Sequence, residues 1–155
     1  MAVAKLHIVG QVGWWNDADS LTEDILYQCN NQQPESIEAT ISSKGGSAYE
    51  GLIMSSALRR FGCNVTTKAY GICASAATQI FAAGDVRITT ADTLFNVHFP
   101  YSPEARGTAE DLRREADSLE QLQNLYAERY AARCGNTPEF WLDIMRADKM
   151  MTAAE

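Results

Sequence analysis

The strongest constraint on the fold is a regular alternation of strand-like and helical segments over the first hundred residues. β-Branched or alternating apolar runs predict strands, and runs with apolar residues three or four apart predict helices. The predicted strands are residues 4–10, 36–42, 64–70, 86–89 and 94–98, and the predicted helices between them are 20–31, 47–61 and 74–83. Strands joined through helices favour an α/β fold with largely parallel strands.

Helix starts are marked by a repeated Ser/Thr-x-x-Glu pattern, in which two side chains satisfy each other's free backbone N–H groups. The pattern occurs at Ser20-Leu-Thr-Glu23 and Ser47-Ala-Tyr-Glu50, where each predicts a helix start, and residues 43–46 are predicted to form a turn. A third copy, Thr152-Ala-Ala-Glu155, predicts a C-terminal helix that is cut short.

The longest predicted helix spans about 108–134 and ends at Gly135, before a further helix that begins at Thr137-Pro138. Its apolar residues are more abundant than one buried face needs, which is compatible with an oligomer interface as well as with packing inside the chain. The stripe consists of Leu112, Ala116, Leu119, Leu122, Tyr126 and Tyr130.

Length, net charge, apolar runs and cysteine spacing limit the classes of protein to which this chain can belong. The 155 residues predict a single domain, 1–155. The net charge of −7, without a basic block, disfavours nucleic-acid binding. There is no apolar run near the length of a membrane span and no signal-peptide layout at the N-terminus, so we expect a cytoplasmic protein without a membrane partner. The four cysteines lie far apart, which predicts reduced, mostly buried thiols and no metal site.

Three segments carry residues suited to catalysis. Gly45-Gly46 lies between a strand and a helix, where paired glycines can present backbone N–H groups or simply form a turn. Ser75 opens a helix directly after a strand and fits either a nucleophile or an ordinary helix cap. His98 at the end of a strand fits a base or a structural histidine, whereas His7 is expected to serve packing.

Taken together, these segments resemble the proteolytic subunit of Clp protease. The matching motifs are Ser43-Lys-Gly-Gly46, Gly71-Ile-Cys-Ala-Ser75 and Asn96-Val-His-Phe-Pro100, and the resemblance extends over nearly all of residues 4–155. It implies the Clp protease/crotonase-like fold, with ββα units and a long "handle" helix at about 108–134. The Trp14-Trp15 loop and the run from Ser43 to Gly51 look closest to the phage and prophage head-maturation peptidases of this group.

The resemblance implies a catalytic triad and a place for the substrate. Asp148, followed by Lys149 and two methionines, matches the family's aspartate better than Asp143 does. The implied roles are Ser75 as nucleophile, His98 as general base, Asp148 as its orienting acid, the N–H groups of Gly46 and Ala76 as oxyanion hole, and Gly45, Ser47, Phe99 and Pro100 as substrate contacts.

Partners follow from the same resemblance. The implied protein is a homo-oligomer, a ring, that cleaves polypeptides such as a capsid or scaffold protein and needs no metal or organic cofactor. Because the chain begins almost at the first strand, the family's N-terminal loops are not expected and neither is an ATPase partner. Lys44 stands where the family has proline and Ala77 where it usually has glycine.

Two other functions compete with the peptidase. Enoyl-CoA hydratases and isomerases of the same superfold also hold an oxyanion with two backbone N–H groups, but they give no reason for Ser75, His98 and Asp148 at these intervals. A catalytically inactive, ring-forming assembly protein is the non-enzymatic alternative.

Overall fold

The computed structural model describes residues 2–155 and confirms an α/β architecture with mostly parallel strands. The elements follow the chain in this order: β1 Val3–Val12, α1 Ala18–Gln28, β2 Ser36–Gly46, α2 Ala48–Arg60, β3 Asn64–Ala74, α3 Ala76–Ala82, β4 Val86–Thr89, β5 Leu94–Asn96, α4 Ala109–Cys134, α5 Pro138–Ala147 and β6 Met150–Thr152.

The chain forms two compact units. The first runs to Asn96 and includes Met150–Glu155, and the second is Val97–Lys149. The first unit contains the sheet, in the order β1-β2-β3-β5-β6, with β4 also paired to β3. All the pairs are parallel except β5–β6, which is antiparallel.

Alternation along β1 and β2 explains how the first unit forms its core. In both strands every second side chain is buried for most of the length, as expected when one sheet face is covered by helices. The core combines that face with the apolar sides of α1, α2 and α3: Leu6, Ile8, Ile37, Ile41, Val65, Leu21, Ile25, Met54, Leu58 and Ile80.

Three strands extend further than the sequence pattern predicts: β1 by one residue at its start and two at its end, and β2 and β3 by four residues each at their ends. The predicted turn at 43–46 is the last part of β2. Gly71, with a positive φ of 66°, does not end β3. It lies in an irregularity between the paired residues Ile41–Ala69 and Ser43–Cys73, where the register of β2 and β3 shifts. β3 has two more residues than β2 across this interval, and the irregularity lets it continue to Ala74.

The helix starts differ from the predicted capping boxes. Asp17, not Ser20, caps α1 and accepts the Ser20 N–H at 2.8 Å. Ser47 does cap α2, but the Glu50 carboxylate accepts the Ala18 N–H at 2.6 Å instead of completing the box. Glu50 therefore ties the starts of two helices together, which a local pattern cannot reveal.

The second unit is built on α4, whose bounds confirm the predicted long helix. Thr108 and Asp111 form a complete capping box at its start. Tyr130 stacks near Trp141 of α5, with ring centroids 5.0 Å apart, and the Trp141 indole donates to the Gly135 carbonyl at 2.8 Å. Leu112 remains exposed on α4.

At the C-terminus, the predicted capping box forms only in part. Thr152 ends β6, and the Glu155 carboxylate accepts its N–H at 3.0 Å and its hydroxyl at 3.3 Å.

Gly51 allows α2 to approach the start of α3. A Cβ at this position would lie 2.8 Å from both the Cβ and the carbonyl oxygen of Ala76. We expect Gly51→Ala to lower the free energy of unfolding in urea by about 1–3 kcal/mol, because overpacking a tight contact strains the neighbours. Ser56→Ala, an exposed change on the same helix, should cost less than about 0.5 kcal/mol. Equal free energies of unfolding for Gly51→Ala and Ser56→Ala would contradict a tight contact between Gly51 and Ala76.

Candidate active site

Ser75 is the single residue between β3 and α3, and its backbone is strained. It has φ 54° and ψ −130°, a region that costs a non-glycine residue about 1–3 kcal/mol. Its N–H donates to the Asn96 carbonyl at 2.8 Å, and its own carbonyl accepts from the Thr78 N–H at 2.9 Å. These bonds fix the sharp turn on both sides of the serine.

The Ser75 hydroxyl does not cap α3. The side chain is half-buried and makes no capping hydrogen bond, although Ser75 occupies the cap position. The interpretation of this serine as an ordinary helix cap is therefore wrong. Strained turns that present a serine between a strand and a helix are the typical setting of a nucleophile.

Gly45 lies directly against this turn. It has φ 93°, and a Cβ on it would be 2.6 Å from the Ser75 Cβ and 2.9 Å from the Ala76 nitrogen. Its N–H donates to the Ser43 hydroxyl at 3.0 Å. Any larger residue would displace Ser75, so the second strand and the serine turn require glycine here.

Gly46 makes the matching contact on the other side of β2. It has φ 155°, and a Cβ would collide with the Val12 carbonyl oxygen at 2.1 Å. The same carbonyl accepts the Ser47 N–H at 3.0 Å. The carboxyl-terminal ends of β1, β2 and β3 therefore lie side by side. Gly45 and Gly46 of β2 stand between Val12 of β1 and Ser75, which follows β3.

Ala76 is buried and begins α3. The first N–H groups of a helix have no acceptor within the helix. Together with the closeness of its nitrogen to Gly45, this fits the predicted oxyanion role.

Cys73, two residues before Ser75, is not a competing nucleophile. It is fully buried in β3, and burial raises the pKa of its thiol to about 12. A thiol that stays protonated is a poor nucleophile. Cys29 is buried as well, whereas Cys63 is partly buried and Cys134 exposed.

His98 lies in the second unit and is half-buried. Its Nδ1 is 2.7 Å from the Phe99 carbonyl oxygen, and its ring centroid lies 5.9 Å from that of Tyr101. Because a carbonyl oxygen only accepts, Nδ1 carries a proton, and in the neutral ring Nε2 keeps the lone pair of a base. The other histidine, His7, is exposed on β1, so the packing role expected for it is wrong.

Asp148 follows α5, also in the second unit. It is exposed and adopts a left-handed conformation with φ 45°. Asp143 pairs with Arg146 at 2.5 Å, and the Arg146 guanidinium lies 5.8 Å from the centre of the Phe99 ring. Arg146 thus connects the end of α5 with the segment that follows His98.

The predicted site residues therefore divide between the units. Gly45, Gly46, Ser47, Ser75 and Ala76 gather in the first, and His98, Phe99, Pro100 and Asp148 belong to the second. The sequence had no signal for the anchoring role of the Asn96 carbonyl, since a backbone acceptor leaves no trace in residue type.

Neither a metal site nor a membrane span is found in the described chain. Residues 2–155 contain no group of three His, Cys, Asp or Glu side chains placed to hold an ion. No helix among them is both long and apolar enough to cross a bilayer.

Comparison with known proteins identifies the class to which this chain belongs, the serine-type peptidases. The Clp protease family model matches residues 3–155, and the chain belongs to that family.

Curated relatives agree with the family match. The chain is 28% identical over 133 residues to the "ATP-dependent Clp protease proteolytic subunit" of Pleurastrum terricola, covering 84% of this chain and 67% of that one. It is 32% identical over 117 residues to "ATP-dependent Clp protease proteolytic subunit 3" of Rhodococcus jostii, covering 74% and 57%. A Chlorella vulgaris relative with the same name as the first is 28% identical over 140 residues, covering 89% and 69%.

Proposed function

We propose that this protein is a serine endopeptidase in which Ser75, His98 and Asp148 act as a catalytic triad. The observation that carries the proposal is the strained turn at Ser75, held by the Asn96 carbonyl and closed by Gly45. Strain of this kind persists where the surrounding structure enforces it, and it concentrates at catalytic positions.

The register of β5 and β6 supports the pairing of His98 with Asp148. The antiparallel ladder pairs Leu94 with Thr152 and Asn96 with Met150. Continued by two residues, the same register would set His98 opposite Asp148. Asp143 has no such relation, and its carboxylate already pairs with Arg146.

The mechanism follows from which ring nitrogen of His98 carries the proton, namely Nδ1. Nε2 of His98 takes the proton of the Ser75 hydroxyl as Oγ attacks the substrate carbonyl, and later gives it to the leaving amine. The Asp148 carboxylate replaces the Phe99 carbonyl as acceptor of the Nδ1 proton and stabilises the imidazolium. Catalytic hydrogen bonds commonly tighten in this way only when substrate is bound.

The N–H groups of Gly46 and Ala76 form the oxyanion hole in this proposal. Gly45 holds the serine turn, whose next residue is Ala76, against the end of β2, which brings the two donor-bearing segments together. Losing one such donor typically costs on the order of 10²–10³ in rate.

The substrate is an extended polypeptide. It lies between the segment at Gly45 and Ser47 and the segment at Phe99 and Pro100, and pairs with them as an added strand. The exposed leucines of α4, Leu112 and Leu125, contribute to a homo-oligomeric ring. Within the family, we assign the chain to head-maturation peptidases acting on capsid or scaffold protein in the cytoplasm.

A fluorophosphonate probe tests the nucleophile. We expect labelling of the wild-type protein at Ser75, mapped by mass spectrometry, and loss of labelling in Ser75→Ala and His98→Ala. Removing such a serine lowers kcat by on the order of 10⁶. Labelling elsewhere, or none in assembled protein, would refute the active site and favour an inactive assembly protein. Turnover of an acyl-CoA by Ser75→Ala would instead favour the hydratase.

The identity of the acid is tested with a matched pair of aspartates. Asp148→Asn should lower kcat for a peptide substrate by about 10⁴-fold, because the amide no longer stabilises the imidazolium. Asp143→Asn, which disturbs only an exposed pair on α5, should stay within a few-fold of wild type. A larger loss of kcat in Asp143→Asn than in Asp148→Asn would identify Asp143 as the acid instead.

A further inference from the structure

Two adjacent tryptophans stand out on the surface of the first unit. Trp14 and Trp15 occupy the loop between β1 and α1, and are 71% and 85% exposed. A single exposed apolar residue needs no explanation, but contiguous large apolar side chains mark surfaces that bind something. The proposed triad and oxyanion hole make no use of them.

The loop that carries the tryptophans is tied down on both sides. The Asn16 side-chain amide donates to the Val9 carbonyl at 2.8 Å and to the Gln11 carbonyl at 3.1 Å. The Gly13 N–H donates to the Asn16 carbonyl at 2.8 Å. The indoles are therefore presented from a short, preorganised loop, which reduces the entropy cost of binding.

The loop adjoins the proposed substrate segment. In the β1–β2 register Gln11 pairs with Gly45 and Val12 with Gly46, and a Cβ on Gly13 would lie 2.9 Å from the Ser47 Cβ. Gly45 in turn contacts Ser75. Two strand spacings separate the ends of β1 and β3, so the loop lies roughly 10 Å from the serine turn.

We propose that Trp14 and Trp15 form an apolar subsite for a large aliphatic or aromatic side chain of the polypeptide substrate. This inference rests on the proposed peptidase function and adds a specificity determinant to it. The occupant is assigned to the substrate because the tryptophan loop adjoins Gly46 and Ser47, so that a polypeptide paired along these two residues passes the tryptophans. At about 3.3 Å per extended residue, the side chain bound lies about three residues from the scissile bond.

Two pairs of internally quenched peptides test the subsite. Within a pair, the peptides differ only in carrying leucine or serine three residues from the cleaved bond, on its N-terminal side in one pair and on its C-terminal side in the other. Cleavage positions are mapped by mass spectrometry. The measured quantity is the ratio of kcat/KM for the leucine peptide to that for the serine peptide. Trp14→Ala combined with Trp15→Ala should lower this ratio by about 10-fold or more, the effect of an apolar contact.

Two further variants make the result specific. Trp14→Phe combined with Trp15→Phe should retain most of the preference, because an apolar ring remains. Tyr27→Ala is the control, since Tyr27 is 82% exposed and neighbours Gln28, whose side chain bonds to Lys5 in the first half of β1. It should leave the ratio and both rates unchanged.

The outcomes separate this inference from the function on which it rests. A wild-type protein whose Ser75 takes no fluorophosphonate refutes the peptidase and the subsite together. Normal labelling with an unchanged ratio in the double alanine variant refutes the subsite alone. A lower ratio accompanied by a smaller sedimentation coefficient also refutes it, because the tryptophans would then be covered by a second copy of the chain.

Discussion

The contact between Gly45 and Ser75 is the constraint on which the rest of the site depends. It brings the end of β2 against the turn that joins β3 to α3, at a distance that no side chain on Gly45 would permit. The turn itself is unfavourable for serine, and is held by hydrogen bonds to the Asn96 carbonyl and from Thr78. The strained serine exists because the packed parallel sheet holds three strand ends together around it.

The strain at Ser75 must be offset by packing elsewhere in the first unit. Gly51 lets α2 approach Ala76, and Glu50 ties the start of α2 to Ala18 of α1. Helix–helix and helix–sheet contacts of this kind stabilise the core through buried apolar area. The same elements that form the core therefore position the nucleophile, so stability and the geometry of the turn are coupled.

The sequence predicted the order of the elements from β1 to α5 because strand and helix periodicity are local signals, but it did not predict β6 at Met150–Thr152. The bounds of α4 and the cap at Thr137 followed from such signals. It failed where distant residues compete: the Glu50 carboxylate accepts the Ala18 N–H rather than the Ser47 N–H, and Gly71 lies within β3 instead of ending it. Ser75, Gly45 and Ala76 were predicted as one site by resemblance, but the positive φ of Ser75 depends on tertiary packing, which composition and spacing do not encode. The alignment of His98 and Asp148 with Ser75 stays a prediction.

A peptidyl chloromethyl ketone tests most directly whether Ser75 and His98 act on one substrate. The serine oxygen adds to the ketone carbonyl, which holds the chloromethyl carbon beside the imidazole, and Nε2 then displaces chloride. The account predicts a peptide adduct on His98 in the wild-type protein and none in Ser75→Ala, as read by mass spectrometry of the digested protein. An unmodified His98 in protein whose Ser75 reacts with a fluorophosphonate, or equal modification in Ser75→Ala, would contradict the triad.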